Sequence, residues 1–227
     1  MTTNEPAAVG WREQAVARSL DPARLRAEKR VQRFIDAALD LMSDSAPGID
    51  FTVQDVVEKS GQSLRSFYQY FGGKQELLLA LFEEAVRSTA EDLRERIRDE
   101  QDPQERLHRF VVDYYSLCRP THTGKSRKRS PLAMAEFAQQ LMTAQPQQAT
   151  RAFEPIVSLF EEVLEDAVAA GVVRGDLRRR RLAGVVLEAI MFNAFSVTIG
   201  GTAAKPEGGD PAEELWDVIL HGIGRSS

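Results

Sequence analysis

Between Thr52 and Phe71 the chain has room for two short helices and almost nothing between them. Thr52-Val53-Gln54-Asp55 sets a hydroxyl three residues ahead of a carboxylate. That pattern satisfies exposed N–H groups at a helix start and places negative charge near its positive end. Val53, Val56 and Val57 give this helix a buried side, and Gly61 ends it. Only two residues later Ser63 is placed to cap another helix, Leu64 to Phe71, which Gly72-Gly73 terminates.

An amphipathic helix precedes the pair. From Arg26 onward Val31, Phe34, Ile35, Ala38, Leu39 and Met42 recur at helical spacing, and the breaker-rich Ser45-Ala46-Pro47-Gly48 stops them. Two short helices joined by a tight glycine turn and propped on a third describe a helix-turn-helix. The same hairpin also occurs in small bundles that touch no DNA. Lys74 then opens a long helix with Leu77, Leu78, Leu81, Phe82, Val86, Leu93 and Ile97 as its apolar side.

The remainder reads as helices with loop punctuation. Pro103 precedes a helix carrying Leu107, Phe110, Val111, Tyr114 and Cys118 on one face. A basic loop, Thr121 to Arg129, leads to helices over Leu132–Ala144 and Gln147–Ala170. Pro155 either kinks the latter near its start or sits in its first turn. Gly171 to Asp176 form a loop before Leu177–Ile199, and a Gly/Pro linker precedes a last helix, Pro211 to His221. With no convincing strand and no internal repeat, the expected fold is all-α. Residues 1–24 form a flexible basic arm, 25–80 a three-helix helix-turn-helix DNA-binding domain, and 81–227 a larger helical-bundle domain.

Composition narrows the function. The 227 residues are 43% hydrophobic, with mean hydropathy −0.32, ample for one sizeable core or two modest ones. A single cysteine, Cys118, excludes an internal disulfide, and His108, His122 and His221 have no second ligand at a metal-binding spacing, so neither metal nor cofactor is expected. No Ser/His/Asp grouping, Glu-x-x-His pair or Gly-rich phosphate loop supports an enzyme. Leu182 to Ile199 is the longest apolar stretch, but Glu188 and Asn193 interrupt it and favour a buried or interface helix over a membrane span. The polar, Arg-rich start lacks a signal-peptide core, which points to the cytoplasm. Net charge is −5, yet seven basic residues against three acidic ones between Trp11 and Arg33 give a local balance of +4. That segment either approaches phosphates or is a solvated arm.

The stretch Ser63-Leu64-Arg65-Ser66-Phe67-Tyr68-Gln69-Tyr70-Phe71-Gly72-Gly73-Lys74-Gln75-Glu76-Leu77-Leu78 closely resembles the recognition-helix signature of TetR-type repressors. Spacing and residue types agree over some sixteen positions. The likeness runs from about Arg26 to Val86, and Gln62 departs from it, standing where the family has a small apolar residue in the turn. From spacing alone, Phe67 and Phe71 face the first helix as core, which frees Arg65, Ser66 and Gln69 to reach outward. The resemblance implies that Leu64, Arg65, Ser66 and Tyr68 approach bases. It implies phosphate contacts for Tyr70 and Lys74, and a backbone contact from the cap Thr52. Leu64 either packs inward or meets a thymine methyl, and Tyr70 either joins the core or reaches a phosphate.

By the same resemblance the chain is a repressor that grips a palindromic operator as a homodimer and lets go on binding a small apolar or amphipathic effector. Phe110, Tyr114, Tyr115, Met134, Phe137, Met142, Phe160, Phe192 and Phe195 are either core or cavity wall. The expected pocket set is Phe110, Tyr114, Met134, Phe137, Phe160, Phe192 and Asn193. Lys125 to Arg129 is either a second phosphate contact or a solvated loop. Rival readings are a helical-bundle enzyme and a protein-interaction module of the same fold without DNA binding.

Overall fold

The computed structural model describes residues 11–44, 51–119, 132–199 and 209–224. Among them are nine helices and no strand beyond an isolated bridge between Val173 and Gly224. Two compact units divide between Leu77 and Leu78, three residues before the expected boundary.

The first unit contains α1 (Trp11–Asp44), α2 (Val53–Ser60), α3 (Leu64–Tyr70) and the first turn of α4 (Lys74–Ile97). Both caps form as the sequence dictates. Thr52 accepts from the Asp55 N–H at 3.2 Å while Asp55 accepts from the Thr52 N–H at 2.7 Å, closing a capping box. These bonds to Thr52 hold the Asp55 carboxyl below its ordinary range. Gly61 ends α2 at φ +64°, where a side chain would be strained, and Ser63 accepts from the Ser66 N–H at 3.1 Å to start α3. Helix α3 stops one residue short of the expectation: Phe71 is extended, though its N–H still donates to the Phe67 carbonyl at 2.9 Å.

The core of this unit is aromatic. Phe34 of α1 meets Phe67 at 5.4 Å and Phe71 at 6.1 Å between ring centroids, both edge-to-face. Ile35, Ala38 and Met42 of α1 and Val56 and Val57 of α2 complete it. The flexible arm needs correcting: α1 is already helical at Trp11, with Pro22 inside it. Residues 11–24 have no glycine and are rich in strong helix formers. Their sequence has no apolar stripe, and residues 22–30, apart from half-buried Ala27, are exposed.

The second unit comprises the rest of α4 with α5 (Pro103–Cys118), α6 (Leu132–Ala144), α7 (Pro146–Ala169), α8 (Arg179–Ile199) and α9 (Pro211–Ile223). Helix α5 packs on α7, α8 and α9, and α7 also packs on α6 and α8. Phe110 and Phe160 stack at 4.6 Å where α5 crosses α7. His108 binds Glu213 at 2.7 Å and lies 5.1 Å from the Trp216 ring, fastening α9 to α5. Pro146 occupies the first turn of α7, and Pro155 lies well inside the helix rather than at its start. Helix α8 begins at Arg179, two residues later than expected. No helix among the described residues is long and apolar enough to cross a membrane.

Because Phe34 alone joins both rings of α3 to α1, Phe34→Ala should destabilise the first unit by about 3–5 kcal/mol. Denaturant unfolding followed by circular dichroism checks this. A loss under about 1 kcal/mol would show that the aromatic cluster is not what holds α3.

Candidate nucleic-acid interface and effector cavity

With Phe67 and Phe71 buried on one side of α3, helical geometry sends the other positions outward. Arg65 and Gln69 are exposed, Leu64 is 44% exposed and Tyr68 57%. Leu64 therefore does not pack inward. The Tyr68 ring leans edge-on against Phe67 at 5.4 Å, which fixes its direction while its hydroxyl end stays in solvent. Tyr70 is half-buried. Ser66 differs from the sequence expectation: its hydroxyl is buried, with no hydrogen-bond partner among the described residues, so it does not face outward. Gln62, the departure in the turn, donates its N–H to the Val57 carbonyl at 3.3 Å and is half-buried.

Lys74 is drawn into the frame of this unit. Its ammonium donates to the Phe51 carbonyl at 2.6 Å and lies 4.4 Å above the Phe51 ring centre. It also faces the Asp55 carboxylate electrostatically. The start of α4 is thus tied to the segment that leads into α2. A second tie lies beside it, where Glu76 accepts from the Gly72 N–H at 2.6 Å. A Cβ at Gly72 would stand 2.9 Å from that carboxylate oxygen, so a glycine suits this position.

The second unit holds two neighbouring cavities. The larger, about 300 Å³, is walled by Tyr114, Met142, Phe153, Val157, Leu187 and Met191 and rimmed by Thr150, Arg180 and Glu188. The smaller, about 70 Å³, lies among Phe82, Thr89, Tyr114, Cys118, Phe153 and Phe195. Phe82 meets Phe153 at 5.1 Å and Phe137 at 6.0 Å, edge-to-face in both cases. Arg180 is spoken for: Glu154 and Glu161 both bind it, and their bonds raise its pKa. Burial pushes the Cys118 thiol up to about 12, although a hydrogen bond to Tyr114 opposes this. The thiol is therefore protonated and unreactive near neutral pH.

Of the six expected pocket residues whose side chains are described, only Tyr114 lines either of these two cavities. Phe110 and Phe160 are fully buried against each other, and Phe137 packs behind the wall. Phe192 is 42% exposed and Asn193 is exposed, on the outer side of α8. The side chain of Met134 lies outside the described residues, as does the loop Lys125–Arg129. Met142 and Phe195, also named from the sequence, do line the cavities. Arg180, Gly184 and Leu187 were missed because a helix that is apolar all round does not show which face borders an empty space. Among the described residues no group of three or more His, Cys, Asp or Glu is placed to hold a metal.

Residues 34–81 match the family described as bacterial regulatory proteins, tetR family. That stretch contains the whole of the α2–α3 turn and every outward residue of α3. The N-terminal unit is a TetR-family helix-turn-helix domain. Over 89 residues the chain is 30% identical to the HTH-type transcriptional regulator BetI of Brucella canis, covering 39% of this chain and 44% of that protein. The match to the Brucella suis BetI has the same extent, so the chain spans less than half the length of these relatives. The fold likeness reaches further. The fatty acid degradation regulator FadR of Bacillus halodurans superposes with a TM-score of 0.62 at 17% identity, covering 85% of this chain and 95% of that one. The Bacillus subtilis FadR, solved in complex with stearoyl-CoA, gives the same score and identity, covering 85% of this chain and 98% of that one.

In the TetR-family resemblance Lys74 holds a phosphate-contacting position, whereas here its ammonium is already engaged inside the domain. Lys74→Met should therefore lower the domain's stability by about 1–3 kcal/mol, the worth of a charged hydrogen bond with its ring contact. Chemical denaturation measures this in the absence of DNA. A side chain that served phosphates alone would leave that stability unchanged.

Proposed function

We propose that this chain is a ligand-responsive transcriptional repressor that binds a palindromic operator as a dimer. The observation that carries the reading is the face of α3. Leu64, Arg65, Tyr68 and Gln69 project outward from a capped, aromatic-anchored helix. Such a face is suited to base edges in a major groove, with Arg65 matched to guanine and Leu64 to a thymine methyl. Thr52, Tyr70 and Lys74 flank it as phosphate contacts. Ser66, its hydroxyl turned inward, is left out of the base-reading set.

Dimerisation is supported by the outer side of α8, where Val185, Ala189, Phe192, Asn193 and Ser196 follow one another at helical spacing and are all exposed. Val185 is 58% exposed, and Val218 of α9 is 70% exposed. Apolar side chains in such a row are costly in water and suit an isologous contact with a second copy. Two recognition helices then meet successive major grooves about 34–36 Å apart.

The larger cavity is the effector site in this reading. Its apolar wall suits an apolar or amphipathic metabolite, in keeping with the stearoyl-CoA complex of the structurally similar FadR. Helix α4 gives its first turn to the DNA-binding unit and borders the smaller cavity through Phe82, Ala85, Val86 and Thr89. With no internal glycine or proline it is stiff enough to pass a tilt from one unit to the other. The effector shifts operator affinity only by its differential affinity for the two states. Action on DNA places the protein in the cytoplasm, and no catalytic role is assigned to it.

Two outcomes test the reading. On operators selected from genomic fragments, Arg65→Ala should relax preference at one base pair per half-site by about 1–3 kcal/mol. Uniform weakening on all sequences would remove Arg65 from base reading. Gly184 borders the cavity, and a Cβ there meets nothing within 4 Å, so Gly184→Leu should fold and partly fill the space. Metabolites that release the native protein from its operator should fail to release this variant. Equal release would exclude the cavity as the controlling site.

A further inference from the structure

At 34 residues α1 is the longest helix among the described residues, yet a long part of it ahead of the core is exposed. Apart from half-buried Ala27, residues 22–30 are exposed, and among the described side chains of α1 Phe34 is the first that is fully buried. Along this part Arg26, Lys29, Arg30 and Arg33 fall at i, i+3, i+4 and i+7, a single stripe within about 100° of helix arc. The one acidic residue among them, Glu28, points elsewhere and is paired with Arg24 at 2.7 Å. None of the four stripe residues has an ion-pair partner among the described residues. In the second unit, by contrast, Arg94, Arg106, Arg179 and Arg180 each hold a carboxylate at 3.0 Å or closer.

Four neighbouring cations left without counter-charge on a regular helix are costly to maintain, because they repel one another and gain nothing from packing. An anionic partner of matching charge density removes that cost. The stripe starts at Arg33, beside the Phe34 ring that anchors α3, and runs about 10 Å back to Arg26. Duplex DNA carries a negative charge about every 1.7 Å of its axis, so a stretch of this length offers several phosphates.

We infer that this stripe is a second DNA-binding surface: Arg26, Lys29, Arg30 and Arg33 hold the phosphates of duplex that flanks the half-site read by α3. The inference rests on the DNA-binding reading above. It adds sequence-independent grip and a footprint longer than one recognition helix per half-site would give. Its four positions lie outside the set of contacts that the resemblance assigns.

The triple variant Arg26→Gln/Lys29→Gln/Arg30→Gln keeps good helix formers at exposed positions, so circular dichroism should match the native protein. On a selected operator the slope of log affinity against log salt should fall by about 2–3, with affinity at least about tenfold weaker at 0.1 M salt. Base preferences should stay as they were, and nuclease protection should shorten at both ends. A charge-keeping variant, Arg26→Lys/Arg30→Lys, should retain the native slope. An unchanged slope and footprint in the triple variant would overturn the inference. So would equal loss of slope in both variants, or a loss confined to binding of phosphatidylserine vesicles. If the native protein bound no duplex at all, the regulator reading itself would fall, which is a distinct result.

Discussion

The outward face of α3 exists because one ring of α1 sits edge-on to two rings attached to α3. Helix α3 runs only from Leu64 to Tyr70, far too short to be stable alone. Its direction is set by Phe67 and Phe71 meeting Phe34, and its ends are set by backbone bonds to Ser63 and Phe67. Everything that holds the helix therefore lies on one side or at its termini. The opposite side carries none of that duty, so Arg65, Tyr68 and Gln69 can be chosen for what they touch outside the protein. Lys74 and Glu76 extend the same economy by closing the frame beyond α3, one onto Phe51 and the other onto Gly72.

The second unit is organised around the spaces it leaves as well as those it fills. Where α5 crosses α7, Phe110 and Phe160 stack and leave no room. The larger cavity opens where Ala149 and Gly184 put almost no side chain toward Tyr114, Phe153 and Met191. Small residues opposite large ones ordinarily interdigitate; here the gap persists. Helix α8 contributes to two surfaces at once, with Leu187 and Met191 toward the cavity and Val185 and Phe192 toward solvent.

How legible all this was depended on how local the determining physics is. Thr52, Asp55, Gly61 and Ser63 act through bonds to neighbours a few residues away, and each does what its position implied. The aromatic core of the first unit could be read from the four-residue spacing of Phe67 and Phe71. The early part of α1 carries no apolar periodicity in the sequence, and intrinsic helix propensity alone leaves no stripe to read. Pro155 was placed too near a helix start because the bland run before it gave no sign of how early α7 begins. The pocket was the least legible part. Whether a buried aromatic residue fills a core or borders a void depends on side chains from three or four helices, and Phe110 and Tyr114, one turn apart on α5, went opposite ways.

The distribution of arginine resolves the tension between an acidic chain and the polyanionic partner proposed for it. A net charge of −5 is an average over two units with different habits. In the second unit carboxylates on one helix neutralise arginines on another, as in Arg94–Glu162, Arg106–Asp166 and Arg179–Glu165. These exposed pairs add little stability individually. Their consequence is that this unit presents little positive field to a polyanion. Arg26, Arg30, Arg33 and Arg65 of the first unit have no such partners among the described residues. Cations without counter-charge in the first unit and neutralised arginines in the second confine attraction for a polyanion to the first unit. The overall charge also weakens indiscriminate adhesion, so binding has to come from the short segment where cations and recognition helix occur together.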